Sequence, residues 1–269
     1  LSVFKRLLVG EPFASGQQPP SLALSKRYAI PLLAVNPISS LAYAPEQVFL
    51  VLGTAGTAAY AYSVWTGLAV AAVMVTVIAS YRYTVQAYPG GGGDYRVVAA
   101  NFGPGAGRLT AAALVLDYIL TVAVSVSAAV AALNVVLPGL DPWREWVAAA
   151  AIVALAAVNL RGLRVSGRFA AGVTVAFVAG VAALLIVGFV RIGAGDDLTA
   201  ASAETATAED REWTSAALFI LCARALAAGS VAVTGIETFT TRVRFFRPPR
   251  GRNAAAAITS VGGATVALF

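Results

Sequence analysis

Three stretches of this chain are long enough to cross a bilayer and almost free of charge. Residues 47–81 contain no charged residue, residues 109–140 contain only Asp117, and residues 169–190 contain none. About 20 apolar residues cross the hydrocarbon core as a helix, so runs of this length belong in lipid. Lipid offers no partner for backbone amides, which makes helix the default. A closed barrel would show alternation, and these Ala/Val/Leu blocks have no period of two. Composition agrees: of 269 residues, 59% are hydrophobic and 12% charged, with a mean hydropathy of +0.78. Soluble domains carry roughly 25% charged residues, so a soluble enzyme and a disordered chain are both excluded. A surface-bound helix is disfavoured because it keeps one strongly charged face. The absence of His and the single Cys222 argue against a zinc or iron–sulfur site and exclude an internal disulfide.

Seven hydrophobic segments are expected, at about 29–54, 58–87, 104–137, 143–160, 166–190, 213–241 and from 253 onward. Residues 1–28 form an amphipathic N-terminal tail, too short in its apolar part and too polar at 15–21 for a signal peptide. The missing initiator Met points to a processed, unusual or incomplete start. If the segments alternate, one side of the membrane holds Lys5, Arg6, Lys26, Arg27, Arg82, Arg96, Arg108, Arg161, Arg164, Arg168 and the arginines of 242–252. The other side holds only Arg144, Arg191 and Arg211 as bases, among eight acidic residues. The positive-inside rule then puts the N-terminus in the cytoplasm. It also accounts for the net charge of +6 without a nucleic-acid partner.

Two segments are interrupted by polar residues. Segment one carries Asn36-Pro37-Ile-Ser39-Ser40, where Pro37 removes an amide donor and disfavours a helical Asn36. Segment six carries Gly229-Ser230 and Thr234-Gly235-Ile-Glu237-Thr238. Breaks at corresponding places in two halves point to a transporter site made from unwound half-helices; two kinked helices in close packing are the plainer alternative.

Ionisable groups inside a membrane are costly, about 2.5–3.5 kcal/mol each on insertion scales. Glu46, Asp117, Arg224 and Glu237 lie within the segments. Thr121 and Ser125 follow Asp117 at four-residue intervals, so the three share one helix face. That stripe offers only oxygen, which suits a hard cation. The alternative is that Asp117 pairs with Arg224 or accepts structural hydrogen bonds. Glu46 is expected near the outer end of segment one, reaching the interface. The Tyr-Pro-Gly-Gly-Gly-Gly-Asp run at 88–94 is a flexible or tightly turned connector and lacks the Lys-Ser/Thr of a phosphate loop. The basic, proline-containing loop 242–252 is expected to control orientation, with binding to anionic lipid as the alternative, and the acidic loop 196–212 is expected to be solvated.

Taken together, the motifs resemble the amino acid–polyamine–organocation superfamily and, within it, the KimA-type potassium–proton symporters, relatives of the Kup permeases. The residues that carry the likeness are Ser39-Ser40-Leu-Ala-Tyr43-Ala-Pro-Glu46-Gln, the glycine run before segment three, Asp117-Tyr-Ile-Leu-Thr-Val-Ala-Val-Ser125, Asn159-Leu-Arg-Gly162, Thr234-Gly-Ile-Glu237 and Arg247-Pro-Pro. The resemblance implies an all-α polytopic protein with a LeuT-like fold of two inverted five-helix repeats, with segments one and six discontinuous. The first repeat would span about 29–190 and the second would begin at about 213–269, within a transmembrane permease domain of 29–269. It also implies potassium held by Tyr43, Asp117, Thr121, Thr234 and Glu237, with Ser125 continuing the face and Asp117 and Glu237 as proton-coupling candidates. The family usually has Asp-Ala where this chain has Asn36-Pro37. Asn36 supplies a carbonyl ligand but neither charge nor a transferable proton.

Such a fold needs at least three helices beyond the seventh segment, so the chain is expected to be a fragment or a truncated frame. Three readings follow. The first is a proton-driven potassium symporter of a bacterial plasma membrane, dimeric in its full-length form. The second is a permease for amino acids or other small organic solutes. The third is a non-transporting remnant. No enzyme reading survives, since no His is available as a base and no nucleophile–base pair stands out. No cofactor is expected beyond the transported potassium and proton.

Overall fold

The computed structural model describes residues 26–160, 163–195 and 214–269, with only the backbone described for 26–28, 57 and 163–169. The N-terminal tail to residue 25 and the acidic loop at 196–212 lie outside the described residues. Among the described residues all the regular elements are helical. They are α1 (Lys26–Ser39), α2 (Ala44–Gly53), α3 (Ser63–Ala87), α4 (Gly93–Phe102), α5 (Pro104–Val136), α6 (Arg144–Leu160), α7 (Leu163–Gly193), α8 (Ser215–Gly229), α9 (Thr238–Arg242) and α10 (Arg250–Leu268).

Among the described residues, five helical stretches are long and apolar enough to cross a membrane: Ala58–Ala87, Pro104–Val136, Pro138–Leu160, Ala170–Gly193 and Ser215–Phe245. They coincide with five of the seven expected segments. At 1.5 Å per residue, the 33 residues of α5 extend about 50 Å, more than the hydrocarbon core requires. These helices present apolar side chains outward, Leu116, Ile119 and Leu120 on α5 and Leu184, Ile186 and Phe189 on α7 among them. Such surfaces are stable against lipid and unstable against water.

The first segment departs from a continuous span because it is two helices. Pro37 withholds the amide that would close on the Leu33 carbonyl, and α1 tightens into a 3-10 turn at Ser40–Ala42. Tyr43 then leaves helical geometry (φ −127°), and Pro45 helps to start α2. The break therefore falls in mid-segment. It puts Glu46 in the first turn of α2, exposed, rather than near the segment's outer end. The seventh segment forms α10, but Arg250, Arg252 and Asn253 at its start and its later Ser, Thr and Gly make it less apolar than the five spans.

The packing is concentrated in two halves. One core joins α1 (Leu33, Ala34, Ile38) with the end of α3 (Val85), with Ile236 and Phe239 around α9, and with Ala254, Ile258 and Val261 of α10. The other joins α2 (Val48, Leu52) to α8 (Leu221, Ala225). Between them Ala44, Val70, Met74 and Ala232 bridge the breaks. Gly229 permits this closeness: a Cβ there would lie 2.7 Å from a Val48 methyl and 2.8 Å from one of Val70.

Candidate functional site

The two breaks meet. In segment six, α8 ends at Gly229, a 3-10 turn runs over Ser230–Val233, and Thr234 turns extended before α9 begins at Thr238. Gly235 has φ +96°, which only glycine adopts freely. It also lies on the broken backbone of segment one: a Cβ at Gly235 would fall 2.6 Å from the Pro37 nitrogen and 2.9 Å from Asn36 Cγ. Across the same junction the Ser40 and Thr234 hydroxyls are 3.0 Å apart, and Ser40 is 3.4 Å from the Tyr43 hydroxyl. Thr234 can also donate to the Val231 carbonyl at 2.8 Å.

Several backbone groups of the breaks are satisfied locally. Ser39 donates to the Asn36 carbonyl at 2.8 Å, and Thr238 donates to the Gly235 carbonyl at 2.6 Å. Glu237 accepts the Gly235 amide on Oε2 at 2.7 Å. Its side chain is 9% exposed, and its other oxygen, Oε1, is buried without a hydrogen-bond partner. A buried carboxylate oxygen with no donor costs free energy, and a proton or a cation would satisfy it.

Beside this junction lies an open cavity of about 550 Å³. Its walls are α1 (Asn36, Ser39), α5 (Tyr118, Thr121, Ser125), α6 (Asn159) and the α9 side (Thr238, Thr241, Arg242). Leu32, Leu33, Val35, Val122 and Leu155 stand between these polar groups, so the lining is mixed and more apolar than polar; it carries one base and includes no carboxylate. Asn36, Thr121 and Ser125 line this cavity together, whereas Tyr43, Thr234 and Glu237 lie at the junction of the breaks. Asp117 is one turn from Thr121 on the same half-buried face of α5, although its neighbour Tyr118, not Asp117 itself, lines the cavity. Among the described residues no three acidic side chains converge into a metal-binding group. Arg224 is exposed on α8, and among the described residues no ion pair joins it to Asp117.

Sequence reasoning passed over Ser40 as a link between the breaks, and Tyr118, Asn159 and Thr241 as cavity lining. It also passed over Asp94, which accepts from Tyr81 at 2.6 Å and from Thr240 at 3.2 Å. The only signal for Asp94 was its position at the end of the glycine run.

The sequence of this chain matches a known family across most of its length. Residues 30–269 match the family model described as amino acid permease. The chain belongs to this permease family. It is also 34% identical, over 98% of its own length, to the potassium transporter KimA of Bacillus subtilis (strain 168). It spans 43% of that relative's length, so less than half of the relative is represented. Family and relative are transporters and not enzymes, in agreement with the absence of a nucleophile–base pair in the sequence. A chain of this family, with five apolar helices, is an integral membrane protein.

Proposed function

We propose that this chain forms the first five-helix repeat, about 29–190, and the start of the second, about 213–269, of a LeuT-like permease that takes up potassium in symport with protons. Its N-terminus is cytoplasmic and its membrane is the bacterial plasma membrane. The observation that carries the reading is the junction of the breaks. Tyr43, Ser40 and Thr234 bring hydroxyl oxygens together there, next to a Glu237 carboxylate with an unpaired buried oxygen. Oxygen ligands replace the hydration shell of a hard cation, and unwound half-helices are where such sites are built. In this reading Tyr43, Thr121, Thr234, Asp117 and Glu237 share the ion along its path, and Ser125 and Asn36 extend the polar wall. Since Asn36 carries no proton, coupling falls to Asp117 and Glu237. The relative named as a potassium transporter supports the choice of ion. Alternating access follows from rocking of the half-helices against α3 and α5, in a homodimer of the full-length form.

A second reading has its own support. A cavity of about 550 Å³ lies within the roughly 300–1,000 Å³ of small-molecule sites and exceeds what one bare ion fills. Arg242 on its wall suits a carboxylate. These features favour an amino acid or a related organic solute.

The test is uptake into proteoliposomes made with the product of the whole gene. The potassium reading expects labelled potassium or rubidium uptake driven by an inward proton gradient, unaffected by amino acids and lost in Asp117→Asn with insertion intact. Uptake of a labelled amino acid that potassium does not compete, or potassium uptake unchanged in Asp117→Asn, overturns it.

A further inference from the structure

The glycine run and Asp94 have no part in the transport reading above, yet they are built into the bundle. Gly91, Gly92 and Gly93 have φ values of +66°, +115° and +70°. The tight bend lays the loop on the inner half of segment six: a Cβ at Gly91 would be 3.3 Å from the Thr241 carbonyl oxygen, and one at Gly93 would be 2.9 Å from the Thr241 hydroxyl. The next residue, Asp94, enters the first turn of α4 between two other helices. The Tyr81 hydroxyl of α3 donates to Oδ2 at 2.6 Å, and the Thr240 hydroxyl of α9 reaches Oδ1 at 3.2 Å. The Glu237 carbonyl lies 2.6 Å from the same Thr240 hydroxyl. That hydroxyl has a single hydrogen, so the Asp94 carboxylate and the Glu237 peptide share it.

α9 has five residues, too few to be stable as an isolated helix, and it follows directly on a break. Its position therefore depends on what it touches. We propose that Asp94 is a positioning residue: it clamps α9 to α3 and α4, and thereby holds Glu237, three residues from Thr240, in the junction of the breaks. Releasing the clamp frees the inner half of segment six to move. The consequence for uptake rests on the transport reading; the clamp itself does not.

Hydrogen-bond chemistry separates a clamp from a charge effect. Asparagine at 94 can accept from Tyr81 through its carbonyl and donate to the Thr240 oxygen through its amide, leaving the Thr240 hydrogen on Glu237. A clamp is therefore rescued by Asp94→Asn and lost in Asp94→Ala. The experiment is hydrogen exchange of the amides of 238–245 in the whole-gene protein in lipid nanodiscs, with uptake kinetics alongside. Asp94→Ala is expected to speed exchange there by about tenfold, while Asp94→Asn stays within about threefold of wild type. The KM for the transported species rises by about tenfold in Asp94→Ala with little change in maximal rate, and adding Thr240→Val changes it little further. Tyr81→Phe, which removes one donor and no volume of note, gives a partial form of the same effect if Asp94→Ala fails to fold. Unchanged exchange in Asp94→Ala or, failing that variant, in Tyr81→Phe overturns the clamp. So does equal loss in Asp94→Asn, because it assigns the effect to charge. A wild-type protein that moves neither potassium nor amino acids, with the exchange response intact, overturns the transport reading and leaves the clamp standing.

Discussion

The Ser40 and Thr234 hydroxyls lie 3.0 Å apart although 194 residues separate them, and they tie the unwound part of one broken helix to that of another. Neither residue is remarkable for its type. Their meaning comes from where the two helices stop: α1 ends at Ser39 and gives way to a 3-10 turn that starts at Ser40, and the 3-10 turn after α8 ends at Val233, just before Thr234. A hydroxyl pair at such a junction holds the breaks in register while leaving oxygen lone pairs for a third partner.

Removing that pair tests whether it is a strut. Ser40→Ala and Thr234→Val should each lower stability by about 1 kcal/mol, the usual net worth of such a hydrogen bond. The double variant should lose less than the sum, because both remove one interaction. Thermal unfolding of the four forms in detergent measures the coupling. Full additivity would mean that the hydroxyls act independently.

Gly235 should tolerate no side chain. Its φ of +96° disfavours any Cβ, and the Cβ itself would meet the Pro37 nitrogen at 2.6 Å, where backbone cannot yield as a flexible side chain does. Gly235→Ala should destabilise the protein by about 2–3 kcal/mol, a strain and overpacking cost together. A lower midpoint in thermal unfolding, with uptake reduced beyond what the remaining folded protein explains, is the expected result. Gly263, where a Cβ would meet nothing within 4 Å, serves as the control: Gly263→Ala should be neutral or slightly stabilising.

The long apolar helices were legible because their signal is compositional and extends over many residues. The breaks were legible too, since Pro37 and the Gly229–Gly235 interval announce a loss of helix in the sequence itself. What the sequence could not reveal is which polar groups face each other. Glu46 shows the difficulty: its place relative to the break depends on where α1 gives way, and hydropathy does not carry that information. Asp94 was hidden for a related reason. It sits in a glycine-rich connector that looks like a spacer, and its partners Tyr81 and Thr240 lie on two other elements, 13 and 146 residues away. The seventh segment is a helix as expected; α3 and α1 cover its Ala254, Ile258 and Val261 face while Arg250, Arg252, Thr259 and Ser260 stay exposed, a division set by tertiary packing outside the reach of local pattern.

Glu237→Gln separates structure from coupling. A glutamine carbonyl can still accept the Gly235 amide that Glu237 Oε2 accepts at 2.7 Å, so the bend of segment six should survive. The variant cannot exchange a proton. Uptake that persists but no longer responds to an inward proton gradient is the expected outcome, with unfolding within about 1 kcal/mol of wild type. A gradient response identical to that of wild type would remove Glu237 from coupling and leave Asp117 as the remaining candidate.

Asn36→Asp decides between the two solute classes. Asn36 lines the cavity and its Cγ lies close to Gly235, so a charge there would act on both the cavity and the junction. The substitution is nearly isosteric, which keeps the α1 break intact. If the transported species is a cation, the new carboxylate should tighten its binding; about 1.4 kcal/mol of added attraction lowers KM roughly tenfold. It should also add a group able to carry a proton, steepening the dependence on the proton gradient. If the species is an amino acid held through its carboxylate by Arg242, the new charge repels that carboxylate and competes for the arginine, and KM rises by a similar factor. The sign of the change in KM, measured for potassium and for a panel of amino acids in one proteoliposome preparation, therefore identifies the solute independently of how fast either is moved.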